Sequence, residues 1–217
     1  MKKFELTTEF VTNVFGKKLF RIKSLIEFGD VKAGELGGYV EKEENISQDG
    51  NAWVFGDAKV SGDARVYDNA WVCGDTWVCD NARVYGDARV CGNAKVYGNA
   101  WVSGNARVCG NAKVSGNAWV SGNAEVSGDA WVSGDAEVSG DAWVRGNADY
   151  ALVKGFGTEF RCTTFYRDKN KKIMVNCGCF HGDLEEFRKQ VKETRSGKIA
   201  KEYLAIADLM EEHFKEE

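Results

Sequence analysis

From Gly50 to Asp149 the chain repeats one six-residue phrase of small, polar and apolar positions, G-[ND]-A-x-V-x, without insertion or deletion. Sixteen full units carry it, and a seventeenth begins at Gly146. The second slot is always Asn or Asp, the third is Ala except at Thr76, and the fifth is Val from Val54 through Val144. One fixed apolar position every six residues is the mark of a parallel β-helix, in which each repeat buries its apolar residue against its neighbours. With three hexads per coil, each coil has 18 residues. Coils stacked at ~4.8 Å give a prism roughly 26 Å tall. The valines are expected to point inward, with the alanines beside the corners. Glycine accepts the positive φ of a corner, and Asn or Asp tolerates it and can bond neighbouring backbone. Asp68 and Asp80 stand where glycine is otherwise found and are expected under mild strain.

The flanks break the hexad. Residues 1–49 are expected to form an N-terminal β cap: 10–14 and 19–22 flank Phe15-Gly16-Lys17-Lys18 as a hairpin, and a glycine-rich stretch from Gly29 to Val40 leads into the repeat. A solenoid needs such caps, because a bare terminal coil exposes apolar core and unpaired strand edges. Residues 50–149 are the hexapeptide-repeat β-helix. Residues 150–217 read as a C-terminal ββαα module. In it, 163–167 and 173–177 form a second hairpin, and Asp183 caps a helix with Glu186 as its capping-box partner. Leu184, Phe187 and Val191 lie on one face of that helix. A second helix from about Lys198 to Glu217 carries Tyr203, Ile206, Leu209, Met210 and Phe214 as its apolar stripe.

The phrase V-x-G-[ND]-A-x resembles the hexapeptide repeat of left-handed β-helix proteins, which include trimeric acyl- and nucleotidyltransferases. That resemblance implies a left-handed coil and favours a trimer. Asp30-Val31-Lys32-Ala33-Gly34 with Gly37-Gly38-Tyr39-Val40 is similar to the start of a transferase-like bacterial hexapeptide-repeat family. Thr163-Thr164-Phe165-Tyr166-Arg167 with Cys177-Gly178-Cys179-Phe180-His181-Gly182-Asp183 resembles a domain that recurs in bacteriophage and prophage proteins. Together these imply a mainly β protein of phage type, acting in the host cytoplasm.

The 217 residues carry a net charge of −4, so no general attraction to nucleic acid or anionic membrane is expected. No apolar run approaches the ~20 residues of a membrane helix, and the basic start leads into no apolar leader segment. Seven cysteines without a leader are expected to stay reduced in the cytoplasm. Proline is absent, as suits a chain whose backbone donors are nearly all used in ladders.

An acyltransferase of this type needs a histidine base, usually beside a loop extruded between hexads. The solenoid has neither; His181 and His213 both lie in the C-terminal module. Cys162, Cys177, Cys179 and His181 are the right types for zinc, but Cys-x-Cys is tighter than the usual Cys-x₂-Cys spacing. No catalytic residue, metal or cofactor is therefore assigned.

The two outward slots of each hexad hold the remaining information. Residues 18 apart stack on one face, and all seven tryptophans occupy outward slots. Face one carries Trp53, Trp71, Arg89 and Arg107. Face two carries Lys59, Trp77, Lys95, Lys113 and Trp131. Face three carries Arg65, Arg83, Trp101 and Trp119. Exposed Trp and Arg are favoured interface residues. Trp53, Trp71, Trp101, Trp119, Arg65, Arg83, Arg89 and Arg107 are therefore expected to form a contact surface, for self-association or for a host protein. Residues 50–120 carry net +1 and 121–149 net −5, a gradient able to orient a partner. Two other readings are a trimeric acyltransferase with its site between prisms, and a ligand sponge in which Arg and Trp columns hold a nucleotide.

Overall fold

The computed structural model describes residues 2–215. Sixteen two-residue strands, β4 (Trp53–Val54) to β19 (Trp143–Val144), each hold the fourth and fifth slots of one hexad. Each pairs in parallel with the strand 18 residues away, as Arg89 does with both Trp71 and Arg107. Three parallel sheets result, one per face, and the chain forms a β-solenoid of about six turns. The second, fourth and sixth slots donate to the coil above, for example Asn99 N to Gly116 O at 2.7 Å and Trp101 N to Ala118 O at 2.9 Å. The valines and the corner alanines form one buried column. Thr76, the exception, is equally buried and returns its hydroxyl to Cys73 O at 2.6 Å.

The corners hold more than permissive backbone. Where Asn repeats, its side-chain amide donates to the same slot one coil on. One such ladder runs Asn81, Asn99, Asn117, Asp135, and another runs Asn105, Asn123, Asp141. A carboxylate only accepts, so each ladder ends at its Asp. Lysines from the C-terminal module meet two of these ends, Lys154 at Asp135 and Lys169 at Asp141. The expectation that these side chains bond backbone gives way to side-chain ladders, because identical slots sit directly above one another. Asp68 and Asp80 do adopt positive φ, 59° and 62°. Their carboxylates accept the N–H of Gly86 and Gly98 in the next coil, at 3.1 and 3.0 Å, which offsets the strain.

At the N-terminal end β1 (Phe4–Thr12) and β2 (Lys18–Ser24) form the expected hairpin, longer than its apolar pattern suggested. Next, β3 (Leu36–Val40) pairs antiparallel with β2 and parallel with Lys59–Val60, so the cap continues the sheet of face two. Gly37 and Gly38 permit this: a Cβ would lie 2.5 Å from the Ile22 side chain at one and 2.5 Å from Ala58 O at the other. Val40 and Ile46 align with Val60 and Val66, so the coil register begins before the first hexad. Lys3 is buried across this end, with its ammonium donating to the carbonyls of Asp49, Gly50 and Ala52. Burial lowers its pKa to about 8.

At the other end the expected two strands are four: β20 (Tyr150–Phe156), β21 (Arg161–Arg167), β22 (Ile173–Cys177) and β23 (Phe180–Asp183), antiparallel in that order. The first starts after a short 3-10 turn, Asn147–Asp149, that follows the last full hexad. The fourth follows a tight turn at Gly178, whose φ is 62°. Period-two alternation divides the sheet's faces. Phe165 and Val175 pack on α1 (Leu184–Thr194) and α2 (Gly197–His213). Thr164, Tyr166 and Asn176 turn to the last coil: the Thr164 hydroxyl accepts from Glu137 N at 2.9 Å, and the Asn176 amide donates to Glu137 O at 3.0 Å. The capping box is formed, with Asp183 Oδ1 accepting from Glu186 N at 2.8 Å and Asp183 N donating to Glu186 Oε2 at 2.8 Å. Leu209 does not join the stripe of α2; it is exposed, and Ala207 takes the inner position.

Two outcomes follow from this packing. Val96→Asp or Val102→Asp places an unpaired charge in the column, so neither variant is expected to give a cooperative thermal transition; near-normal melting would reverse the inside and outside of the coil. In the Asn81–Asn99–Asn117 ladder, Asn99→Asp keeps an acceptor for Asn81 and loses the bond to Asn117, whereas Asn99→Ala loses both. Chemical denaturation is expected to place the alanine variant lower by about 1 kcal/mol. Equal stability of the two would mean the ladder contributes nothing.

Candidate functional site

No loop is extruded between the hexads, so the candidate site is built from what the hexad places outward. The fourth-slot side chain points away from the valine column on every strand, yet the tryptophans found there have different surroundings.

Trp53 is fully buried, a correction to its expected place on the contact surface. Phe4 and Phe28 pack edge-on against it, with centroids at 5.9 and 5.4 Å and interplanar angles of 73°. The N-terminal segment covers the outward slot of the first hexad, which the repeat itself could not reveal. Trp71 is half-buried between Phe55, centroids at 5.1 Å, and the Arg89 guanidinium, 5.1 Å from its ring. Cations of the same or neighbouring coils also meet other rings: Lys59 and Lys95 at Trp77, Arg83 at Trp101, Lys113 at Trp131, and Arg145 at Trp143. Much of the Trp/Arg pairing is therefore internal to the solenoid, each contact worth about 0.5–1 kcal/mol where exposed.

Face three carries two of the three exposed tryptophans, Trp101 and Trp119. Tyr67 and Tyr85 stack in parallel with centroids 4.9 Å apart. Tyr85 meets Trp101 edge-on at 6.2 Å, and Trp101 meets Trp119 edge-on at 6.2 Å. Trp101 and Trp119 remain 38% and 40% exposed. The indole of Trp119 lies back over the preceding coil, its N–H donating to the Ser103 hydroxyl at 3.0 Å. Arg65 and Arg83 are strand partners on the same face, both exposed. The structure thus brings together Arg65, Arg83, Trp101 and Trp119 and adds Tyr67 and Tyr85, which were not among the residues expected on the contact surface. Their shared sixth slot and 18-residue spacing were the signal. Trp71, Arg89 and Arg107 form a separate column on face one. Trp131 on face two, also not expected on the contact surface, is 46% exposed and donates to the Ser115 hydroxyl at 2.9 Å.

His181 Nδ1 lies 2.5 Å from Asn176 Oδ1 and 3.4 Å from the Tyr166 hydroxyl, at the junction between cap and last coil. Among the described residues, no group of three or more His, Cys, Asp or Glu could hold a metal ion. Among them, too, no helix is long and apolar enough to cross a membrane. All seven cysteines are free thiols. Cys73, Cys91 and Cys109 follow the paired strands of face one, and parallel Cβ vectors suit a disulfide poorly.

Residues 58–74, 78–92, 88–104 and 106–122 match a family described as YdcK Beta solenoid repeat. No curated protein matches the chain. Repeat, coil and family match together define a β-solenoid repeat protein.

The half-buried thiols set a pH dependence. Burial is the largest cause raising Cys79, to about 11, with Asp80 adding to it and Lys95 opposing. Burial likewise comes first in raising Cys73, Cys109 and Cys162. A thiol raised on folding stabilises fully below its ordinary value of 9.0, and that contribution is lost as pH rises toward 11. Lys3, lowered on folding, acts in the opposite sense from about pH 8 upward, so the test is a comparison. The melting midpoint of Cys79→Ala is expected to fall less between pH 9 and 11 than that of the parent chain. Parallel curves would contradict the assignment.

Proposed function

We propose that this chain is a non-enzymatic binding scaffold of the left-handed hexapeptide-repeat, phage or prophage type, which self-associates side by side through face three. The observation that carries the reading is the open strip Trp101–Trp119, continuous with the Tyr67–Tyr85 stack, on a face without loops. Caps cover both ends of the solenoid: Lys3, Phe4 and Phe28 at one, the β20–β23 sheet at the other. Lateral contact is then the route left for the prism to associate, and a trimer is the arrangement the resemblance favours. In such a trimer Trp101 and Trp119 would supply the contact. A host protein, occupied in the bacterial cytoplasm, is the second partner this face suits. The acidic last coils against the net positive earlier ones would fix the orientation of either partner.

Burying a Trp side chain contributes on the order of 2–3 kcal/mol. Trp101→Ala combined with Trp119→Ala is therefore expected to lower the particle mass in light scattering, or to lose a host protein in pull-down, while the melting transition persists. Full assembly and full partner capture in the double variant would move the contact to another face.

A further inference from the structure

The N-terminal end of face three holds a cavity of about 530 Å³, lined by Arg65, Tyr67, Arg83, Glu43, Glu44 and Gln48 among others. It exists because the first coil departs from the hexad. Ile46 pairs with Val66 in register, but eight residues rather than six separate Ile46 from Val54. The preceding turn, Glu43–Asn45, is a short 3-10 segment rather than a strand. Face three therefore begins with a bulging wall beside a flat sheet.

The two guanidiniums in this cavity present an unsolved electrostatic problem. Arg65 and Arg83 are direct partners in adjacent parallel strands, and like charges placed so repel. Neither makes an ion pair or a hydrogen bond among the described residues. Arg83 is held in place by the Trp101 ring, 5.1 Å away. Glu43 is engaged elsewhere, its carboxylate 2.6 Å from the Lys2 ammonium, and Glu44 is exposed at the rim. An anion shared by both guanidiniums would turn the repulsion into charge-assisted hydrogen bonds with the fork geometry arginine favours. Beside them Tyr67, stacked on Tyr85, offers a ring braced from one side. The rim carboxylates accept hydrogen bonds and so suit a ring that carries N–H donors. The volume falls within the usual range for a small-ligand site.

We infer that this cavity binds a nucleoside phosphate, with the phosphate between Arg65 and Arg83 and the base against Tyr67. The site goes beyond the lateral contact proposed above and adjoins it, since Tyr67 stacks on Tyr85 and Arg83 on Trp101. Arg65 and Trp119 are three coils apart, about 14 Å along the prism.

Titration calorimetry of the full chain with ATP, GTP, ribose 5-phosphate and inorganic phosphate tests it. At least one of the nucleotides is expected to bind, and ribose 5-phosphate and inorganic phosphate more weakly. Arg65→Ala and Arg83→Ala are each expected to weaken nucleotide binding about ten-fold or more. Tyr67→Ala should weaken nucleotide binding without changing that of ribose 5-phosphate. Melting curves without ligand confirm that the variants fold. Trp119→Ala, outside the cavity, is expected to keep nucleotide affinity whatever its particle mass, which separates this site from the lateral contact. Three results would overturn the inference: no binding at millimolar nucleotide by the folded chain, undiminished binding by both arginine variants, or ribose 5-phosphate binding as tightly as the nucleotides.

Discussion

Everything in this molecule depends on identical slots meeting every 18 residues. Backbone N–H groups of one coil donate to carbonyls of the next, and across the repeat the equal coil length keeps every slot of this ladder in register. The interior enforces the same rule. A triangular coil leaves room for one Val per side and an Ala beside each corner, so larger or smaller core residues would break the stack by overpacking or by cavities. The absence of insertions follows from the same demand. It also limits function, because a chain that extrudes no loop from its repeat has only flat faces and two ends with which to meet other molecules.

The stacking rule acts on the outward slots as well, with mixed results. Asparagines gain from it, since an amide both donates and accepts and can run a ladder along the corner. Aspartates end those ladders, and the C-terminal module places lysines at two of the ends. Tryptophans gain through cations and serines of adjacent coils. Stacked arginines gain nothing from one another. Arg65 over Arg83, like Arg89 over Arg107, is a local conflict that the coil geometry imposes; the first pair lines the N-terminal cavity of face three.

Much of the architecture was legible from residue spacing alone. Val54 through Val144, recurring without a break, define the inside, and residues 18 apart define the faces. Asp183 and Glu186 announced the helix start through a local hydrogen-bond pattern. What spacing could not reveal was tertiary cover. Trp53 has the same slot as Trp71, and only the fold of the N-terminal segment brings Phe4 and Phe28 onto it. Strand β20 was hidden because it follows directly on the incomplete seventeenth unit. Strand β23 was hidden because four residues between a Gly turn and a helix carry no periodic signal. Leu209 and Ala207 differ in burial because the helix face turns with the packing partner, and the larger residue was the wrong guide. On face three, Tyr67 and Tyr85 were readable from their shared slot, whereas the cavity beside Arg65 arises from the irregular first coil.

The central claim is that face three, and not the rest of the solenoid surface, meets a partner. Hydroxyl-radical footprinting of the purified chain over a range of concentrations tests this residue by residue. Trp101, Trp119 and Trp131 have similar exposure in the single chain, so they should oxidise alike when dilute. With increasing concentration, Trp101 and Trp119 are expected to become protected while Trp131 stays reactive. Oxidation of Trp101 and Trp119 that tracks Trp131 at concentrations where the particle mass exceeds one chain would contradict the account.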